Sequence, residues 1–147
     1  MVGSVVAIGG PAIGIATAGV MVKLRNLVIV PLPGGSATDA IPMTNGALLA
    51  VNDCLLEILP GSAIVANTAA SVRDCSIVRN GSEAVAARSD GLGAVSLAVS
   101  NSMIANNGTG FFNEVATPGT FESAGNNALR NNTTPKTGTV SVVTPLE

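Results

Sequence analysis

The chain has no histidine, no tryptophan and no tyrosine among its 147 residues, and only three phenylalanines. Without histidine no Ser-His-acid triad can be assembled, and two cysteines alone do not complete a tetrahedral metal site. Without Trp or Tyr, the usual platforms on which sugars stack are missing. Charge is scarce too: seven Lys plus Arg against nine Asp plus Glu, 11% of the residues and a net −2, where a globular domain carries about 25%. A basic stripe interleaved with aromatics is therefore absent, which argues against nucleic acid as a partner. No stretch of ten residues has helical periodicity, so there is no helix for a Gly-rich phosphate loop to open. The apolar run at residues 5–22 has no Lys or Arg before it and is punctuated by Gly9, Gly10, Pro11, Gly14 and Gly19. It reads as strands of an opening coil, with neither the flanks of a signal peptide nor the continuity of a membrane helix.

What the chain has in quantity is aliphatic. Hydrophobic residues make up 47% of it, in short runs bounded by Gly, Pro, Asn and Ser. Runs such as Ala47-Leu48-Leu49-Ala50-Val51, Ala63-Ile64-Val65-Ala66 and Val95-Ser96-Leu97-Ala98-Val99 are too short for helices and suit buried strands. They recur in step with a repeat. With Asp74 as the mark, counterparts stand at Asn26, Asp53, Asn101 and Gly125, in settings such as Val51-Asn52-Asp53-Cys54, Val72-Arg73-Asp74-Cys75 and Val99-Ser100-Asn101-Ser102. An imperfect repeat of about 20 to 30 residues marks a stacked solenoid. The fixed leucine offsets of a leucine-rich repeat are missing, which leaves three short strands per turn. The expected fold is all-β, a single-stranded parallel β-helix of about five to six coils. One domain spans residues 1–147, with an opening coil at 1–22, regular coils at 23–132 and a C-terminal tail at 133–147. The longest irregular excursions are expected at 89–93 and 116–120.

Several side chains acquire a role from this stacking. Asn80, Asn107 and Asn131 recur at one bend, where their amides would form a structural ladder. Cys54 and Cys75 fill one slot in successive coils and are expected buried, reduced and stacked as small apolar core residues, so that Cys75→Ser would place a surplus hydroxyl in an apolar lumen. Asn80-Gly81 and Asn107-Gly108 look like replacements for the turn at Leu59-Pro60-Gly61. Asp53 and Asp74 form the one stacked carboxylate pair, either solvated bend residues or a weak Ca²⁺ candidate; one of them should have a raised pKa or be neutralised by a neighbour such as Arg73. If Ile41, Ile64, Val85 and Phe111 face the lumen, alternation turns Pro42, Val65, Ala86 and Phe112 outward, with Thr44, Asn67, Arg88 and Glu114 as a polar fringe. That face would offer a groove to a glycan or a partner chain. No catalytic residue and no cofactor is indicated.

Residues 12–132 resemble the right-handed parallel β-helix repeat proteins of the pectate-lyase-like superfamily. The segment Phe121-Glu122-Ser123-Ala124-Gly125-Asn126-Asn127-Ala128-Leu129-Arg130-Asn131-Asn132 is similar to the last coil of an uncharacterised bacterial secreted group among them. The resemblance implies right-handed winding and an extracellular or cell-surface location. It leaves function open, because the fold serves pectin-degrading enzymes, phage tail proteins and adhesins alike. The enzymes gather carboxylates on one sheet, whereas the nine acids here are scattered. The expectation is therefore a non-enzymatic structural or interaction domain, of a surface or secreted protein or of a larger β-helix chain. The alternative is a polyuronate-binding or minimal polysaccharide lyase or hydrolase-like domain. The expected partner is a second copy of the chain, meeting the first through an end or a side face to form a homo-oligomer. A glycan is the alternative, and neither nucleic acid nor membrane is indicated.

Overall fold

Along the chain, short aliphatic segments are interrupted at fixed places by a residue with positive φ. One column of such residues is Asn26, Asp53, Asp74 and Asn101, with φ of 55, 52, 54 and 47°. The other is Ile58, Arg79, Asn106 and Asn131, with φ of 62, 59, 58 and 52°. Asn and Asp tolerate the left-handed region through their short polar side chains, so the first column surfaces as the sequence repeat. Ile58 and Arg79 give no such signal, and the second column is hidden.

The computed structural model describes residues 2–89, 94–114 and 119–144. The excursions expected at 89–93 and 116–120 lie mostly outside the described residues. β1 (Gly3–Gly10), β2 (Ile15–Ala16) and β3 (Met21–Arg25) form the first coil, and β4 (Leu27–Ala37), β5 (Ile41–Asn45) and β6 (Leu48–Asn52) the second. β7 (Leu55–Glu57), β8 (Ile64–Ala66) and β9 (Ala69–Arg73) follow, then β10 (Ser76–Val78), β11 (Glu83–Ala87) and β12 (Ser96–Ser100). β13 (Met103–Ala105), β14 (Thr109–Asn113) and β15 (Thr120–Ala124) precede the last coil of β16 (Ala128–Arg130), β17 (Thr134–Thr137) and β18 (Ser141–Val143). Every third strand pairs in parallel, which makes three six-stranded sheets. The first runs β1-β4-β7-β10-β13-β16, the second β2-β5-β8-β11-β14-β17 and the third β3-β6-β9-β12-β15-β18. This is a parallel β-solenoid with three strands per coil.

The lumen is filled by columns in register. Ile29, Leu56, Ile77 and Ile104 stack on the first sheet, and Ile41, Ile64, Val85 and Phe111 on the second. Val51, Val72 and Val99 stack on the third, beside Leu49, Ala70, Leu97 and Phe121. All are buried. The Phe111 and Phe121 rings meet at 5.0 Å with a 55° tilt, a geometry aromatic quadrupoles favour.

β1 covers Gly3–Gly10 against β4 and ends at Gly9-Gly10, the pair read as punctuation. Two readings differ from the sequence expectation. Residues 134–143, within the expected tail, form strands of one more coil: β17 pairs with β14 and β18 with β15, which satisfies the ladder of N–H and C=O groups on those strands. The repeat mark in the last coil is Asn126 in place of Gly125, since Met103 pairs with Ala128 and Asn101 N–H donates to Asn126 Oδ1 at 2.9 Å.

Candidate functional site

At the corner between the third and first sheets, Arg25, Asn52 and Arg73 stand in register at the ends of β3, β6 and β9. The next residues, Asn26, Asp53 and Asp74, have positive φ. The bend lets two consecutive side chains per coil face water, and an open polar depression of about 250 Å³ results, lined by Arg25, Asn52, Asp53, Arg73 and Asp74. Its charges are matched internally. Arg25 Nε donates to Asp53 Oδ2 at 2.9 Å, and Arg73 Nε lies 3.4 Å from Asp74 Oδ2. Asn101 Nδ2 donates to the other Asp74 oxygen. The Asp53 and Asp74 pair therefore does not suit Ca²⁺, which takes about six to eight oxygens. Two guanidinium groups occupy its carboxylates, and among the described residues no three His, Cys, Asp or Glu side chains gather.

One residue further on, the lumen-facing slot holds Cys54, Cys75, Ser102 and Asn127, all doing one task. Cys54 Sγ donates to Asn52 O and Cys75 Sγ to Arg73 O, each at 3.1 Å; Ser102 Oγ donates to Ser100 O at 2.8 Å and Asn127 Nδ2 to Ala124 O at 2.9 Å. Each donor adds a second bond to a carbonyl of the bend, since Asn52 O, Arg73 O and Ser100 O also accept the backbone N–H of Asn26, Asp53 and Asp74. Ser102 Oγ also accepts from Cys75 N at 3.2 Å. Both cysteines are free and buried and belong to the hydrophobic core, as expected; their thiols also bond backbone carbonyls there. The Cys75 thiol also hydrogen-bonds Cys54, bringing the Cys54 pKa down to about 7. That bond, with burial, pushes the Cys75 thiol far up. Cys75→Ser is now expected to stay within about 1 kcal/mol of the parent, because a hydroxyl can make the bonds Ser102 makes. Cys75→Ala, lacking the donor, should lose about 1 to 2 kcal/mol. Urea unfolding of the two variants checks this.

At the next bend the ladder is real in two of its expected members and shifted in the third. Asn107 Oδ1 accepts from Asn80 N and Nδ2, both at 3.0 Å, and Asn132 Oδ1 accepts from Asn107 N and Nδ2, both at 3.0 Å. Asn80 Oδ1 accepts in turn from Leu59 N at 3.0 Å. Asn131 is not a rung: it occupies the exposed positive-φ corner, beside Arg79 and Asn106 in the same column. The last coil runs in the register that pairs Ala105 with Arg130, which moves Asn132 into the slot.

On the outer face of the second sheet, Pro42, Val65, Ala86 and Phe112 lie side by side. Thr44 stands at the end of β5, Asn67 N donates to Met43 O at 3.1 Å, and Arg88 N and Glu114 N make the same bond one and two coils on. This face is not an open groove. Arg88 lies over the Phe112 ring, 4.9 Å from its centroid, and Ala86 is fully buried although it points outward. Arg88 is held there by Glu83 Oε1 at 3.0 Å and Glu114 Oε2 at 3.4 Å.

Glu83, which the sequence did not single out, anchors the cluster. It accepts from Ser82 Oγ at 2.7 Å and from the buried Ser62 Oγ. Burial alone would raise its pKa; the hydrogen bonds from Ser62 and Ser82, with the charge of Arg88, outweigh that and hold it below its ordinary value of 4.5. A carboxylate depressed in the folded state stabilises above its unfolded pKa, and that stabilisation is lost as pH falls through the folded value. Glu83→Gln should cost about 1 to 2 kcal/mol at neutral pH. Its stability should fall less than the parent's on acidification below pH 4.5, which denaturation across pH would read.

Comparison with protein-family models, with curated proteins and with solved structures gives no match to this chain. Sequence reasoning missed Arg25 and Glu83 because Asp53 and the buried Ser62, which hold them, lie on other coils, 28 and 21 residues away in the chain.

Proposed function

We propose that this β-solenoid is a non-enzymatic structural and interaction domain, of a surface or secreted protein or of a larger β-helix chain in the pectate-lyase-like group. The observation that carries the reading is the use made of its charges. The Asp and Arg side chains of the polar depression neutralise one another, as do Glu57 and Arg79 at 2.6 Å and the Glu83, Arg88 and Glu114 cluster. Acid–base chemistry needs a carboxyl group set apart in pKa and facing a cleft; here these carboxylates are committed to holding coils together. A glycan-binding reading rests on the polar depression, where Arg25 and Arg73 could take the carboxylate of a polyuronate if Asp53 and Asp74 released them.

A reducing-end assay on pectin and related polyuronates, run beside a glycan array, tests both. The expected result is neither turnover nor specific retention. Turnover abolished by Asp53→Ala or Asp74→Ala would overturn the proposal. Binding without turnover, weakened by Arg73→Ala, would put the glycan reading in its place.

A further inference from the structure

The outer face of the first sheet is mostly apolar, with Ser4, Glu57, Ser76 and Arg130 as the polar members of its outward columns. Val28 pairs with Leu55, and Ser76, Met103 and Ala128 continue that outward column. Val6 pairs with Val30, and Val78 with Ala105, in the next. Ile8, Leu32 and Ile58 extend the patch at the strand ends. Val6, Ile8, Leu32, Ile58 and Met103 are 48, 67, 42, 52 and 47% exposed, and Val28, Val30, Leu55 and Val78 are half-buried. Strands that are apolar on both faces belong to sheets covered on both sides.

Ile58 adds a second observation. A β-branched side chain at φ 62° is strained, and here it is also left largely in water. The corner itself requires the conformation, with Ile58 N donating to Val78 O at 3.3 Å, but a contact that buries the Ile58 side chain would offset its exposure.

We propose that two copies of the chain pair face to face through the outer surface of the first sheet. This rests on the reading of the domain as an interaction module and names its partner. Four arguments select a second copy. The nine apolar residues present on the order of 600 Å², close to the roughly 800 Å² that one partner brings to a standard interface. Six parallel strands form an extended face, and two such faces stack about 10 Å apart with side chains interdigitating. A two-fold interface sets the same patch against itself, which like charges would oppose. The acid within this patch, Glu57, is already neutralised by Arg79.

Sedimentation equilibrium over micromolar to millimolar concentration tests the proposal on the full chain. The parent should be a dimer. Ile58→Asn should do two opposite things: relieve the left-handed strain, raising the Tm of the dilute monomer by about 2 to 4 °C, and weaken the dimer about ten-fold or more, since 1.4 kcal/mol is a factor of ten. Leu55→Glu at the patch centre should abolish the dimer, and if that variant fails to fold, Ile58→Asn still decides. A parent monomeric at millimolar concentration overturns the proposal. So does a dimer indifferent to Ile58→Asn, or open-ended polymers, which would mean stacking through the solenoid ends. A monomer that binds neutral phosphatidylcholine vesicles in place of itself overturns it as well. Polysaccharide turnover by an intact dimer would sink the functional reading above and leave this contact standing.

Discussion

Asn107→Ala is expected to be among the most damaging single substitutions in the chain, lowering stability by about 2 to 4 kcal/mol. Its Oδ1 receives two bonds from Asn80, and its Nδ2 supplies Asn132 Oδ1 and Ile77 O. Removing the amide leaves the buried Asn80 N–H without an acceptor and Asn132 Oδ1 with one donor fewer, and unmade bonds in a buried site cost the full desolvation of each group. For a chain of this size the loss corresponds to a Tm lower by roughly 5 to 15 °C. The neighbouring residues provide the control. Asn132→Ala at the end of the ladder should cost less, and Asn131→Gly should be nearly silent, since glycine accepts its φ of 52° at no cost. Calorimetry on the three variants checks the order. Equal losses at Asn107 and Asn131 would mean that the ladder does not bear on stability.

Gly81→Ala is the second large effect expected, about 2 to 4 kcal/mol. A Cβ at Gly81 would overlap the Pro60 carbonyl of the preceding coil, and one at Gly108 would come within 2.7 Å of the Gly81 carbonyl. These are backbone atoms held by ladder bonds, including Gly81 N to Leu59 O at 2.8 Å, so the clash can be relieved only by parting the coils. Gly125→Ala is the matched control, because a Cβ there meets nothing within 4 Å. Chemical denaturation should show a large drop for Gly81→Ala and almost none for Gly125→Ala. Comparable small losses would show that the coils can separate locally without loss of cooperativity.

These two results assign separate work to the members of one dipeptide. Read along the chain, Asn80-Gly81 and Asn107-Gly108 look like turn chemistry, with Asn and Gly chosen for backbone freedom. Neither pair is used that way: Asn80, Gly81, Asn107 and Gly108 are not among the positive-φ residues. Asn is present for its amide and Gly for its missing Cβ, and both requirements come from the coil alongside. Positive φ falls one residue earlier, at Arg79 and Asn106, where residue type gives no consistent hint.

The sequence by itself determined the coil. Short aliphatic runs and the recurring Asn26, Asp53, Asp74 and Asn101 corner are local preferences of the backbone, legible wherever they occur, and their spacing was enough for three strands per turn and one continuous lumen. Only the tertiary structure decided what depends on neighbouring coils. A slip of one residue separates Asn131 from Asn132, and the pairing of β13 with β16 settles it. The thiol bonds of Cys54 and Cys75 depend on the bend, which brings the carbonyls of Asn52 and Arg73, two residues back, within reach. The second-sheet face became closed because Glu83, five residues away in the chain, draws Arg88 over Phe112. The first-sheet face stayed unread for the opposite reason: Leu27-Val28-Ile29-Val30 and Leu55-Leu56 do not alternate in polarity, so the sequence gives no sign of which side chains point inward, and the lumen took Leu27, Ile29 and Leu56 and left Val28, Val30 and Leu55 facing out.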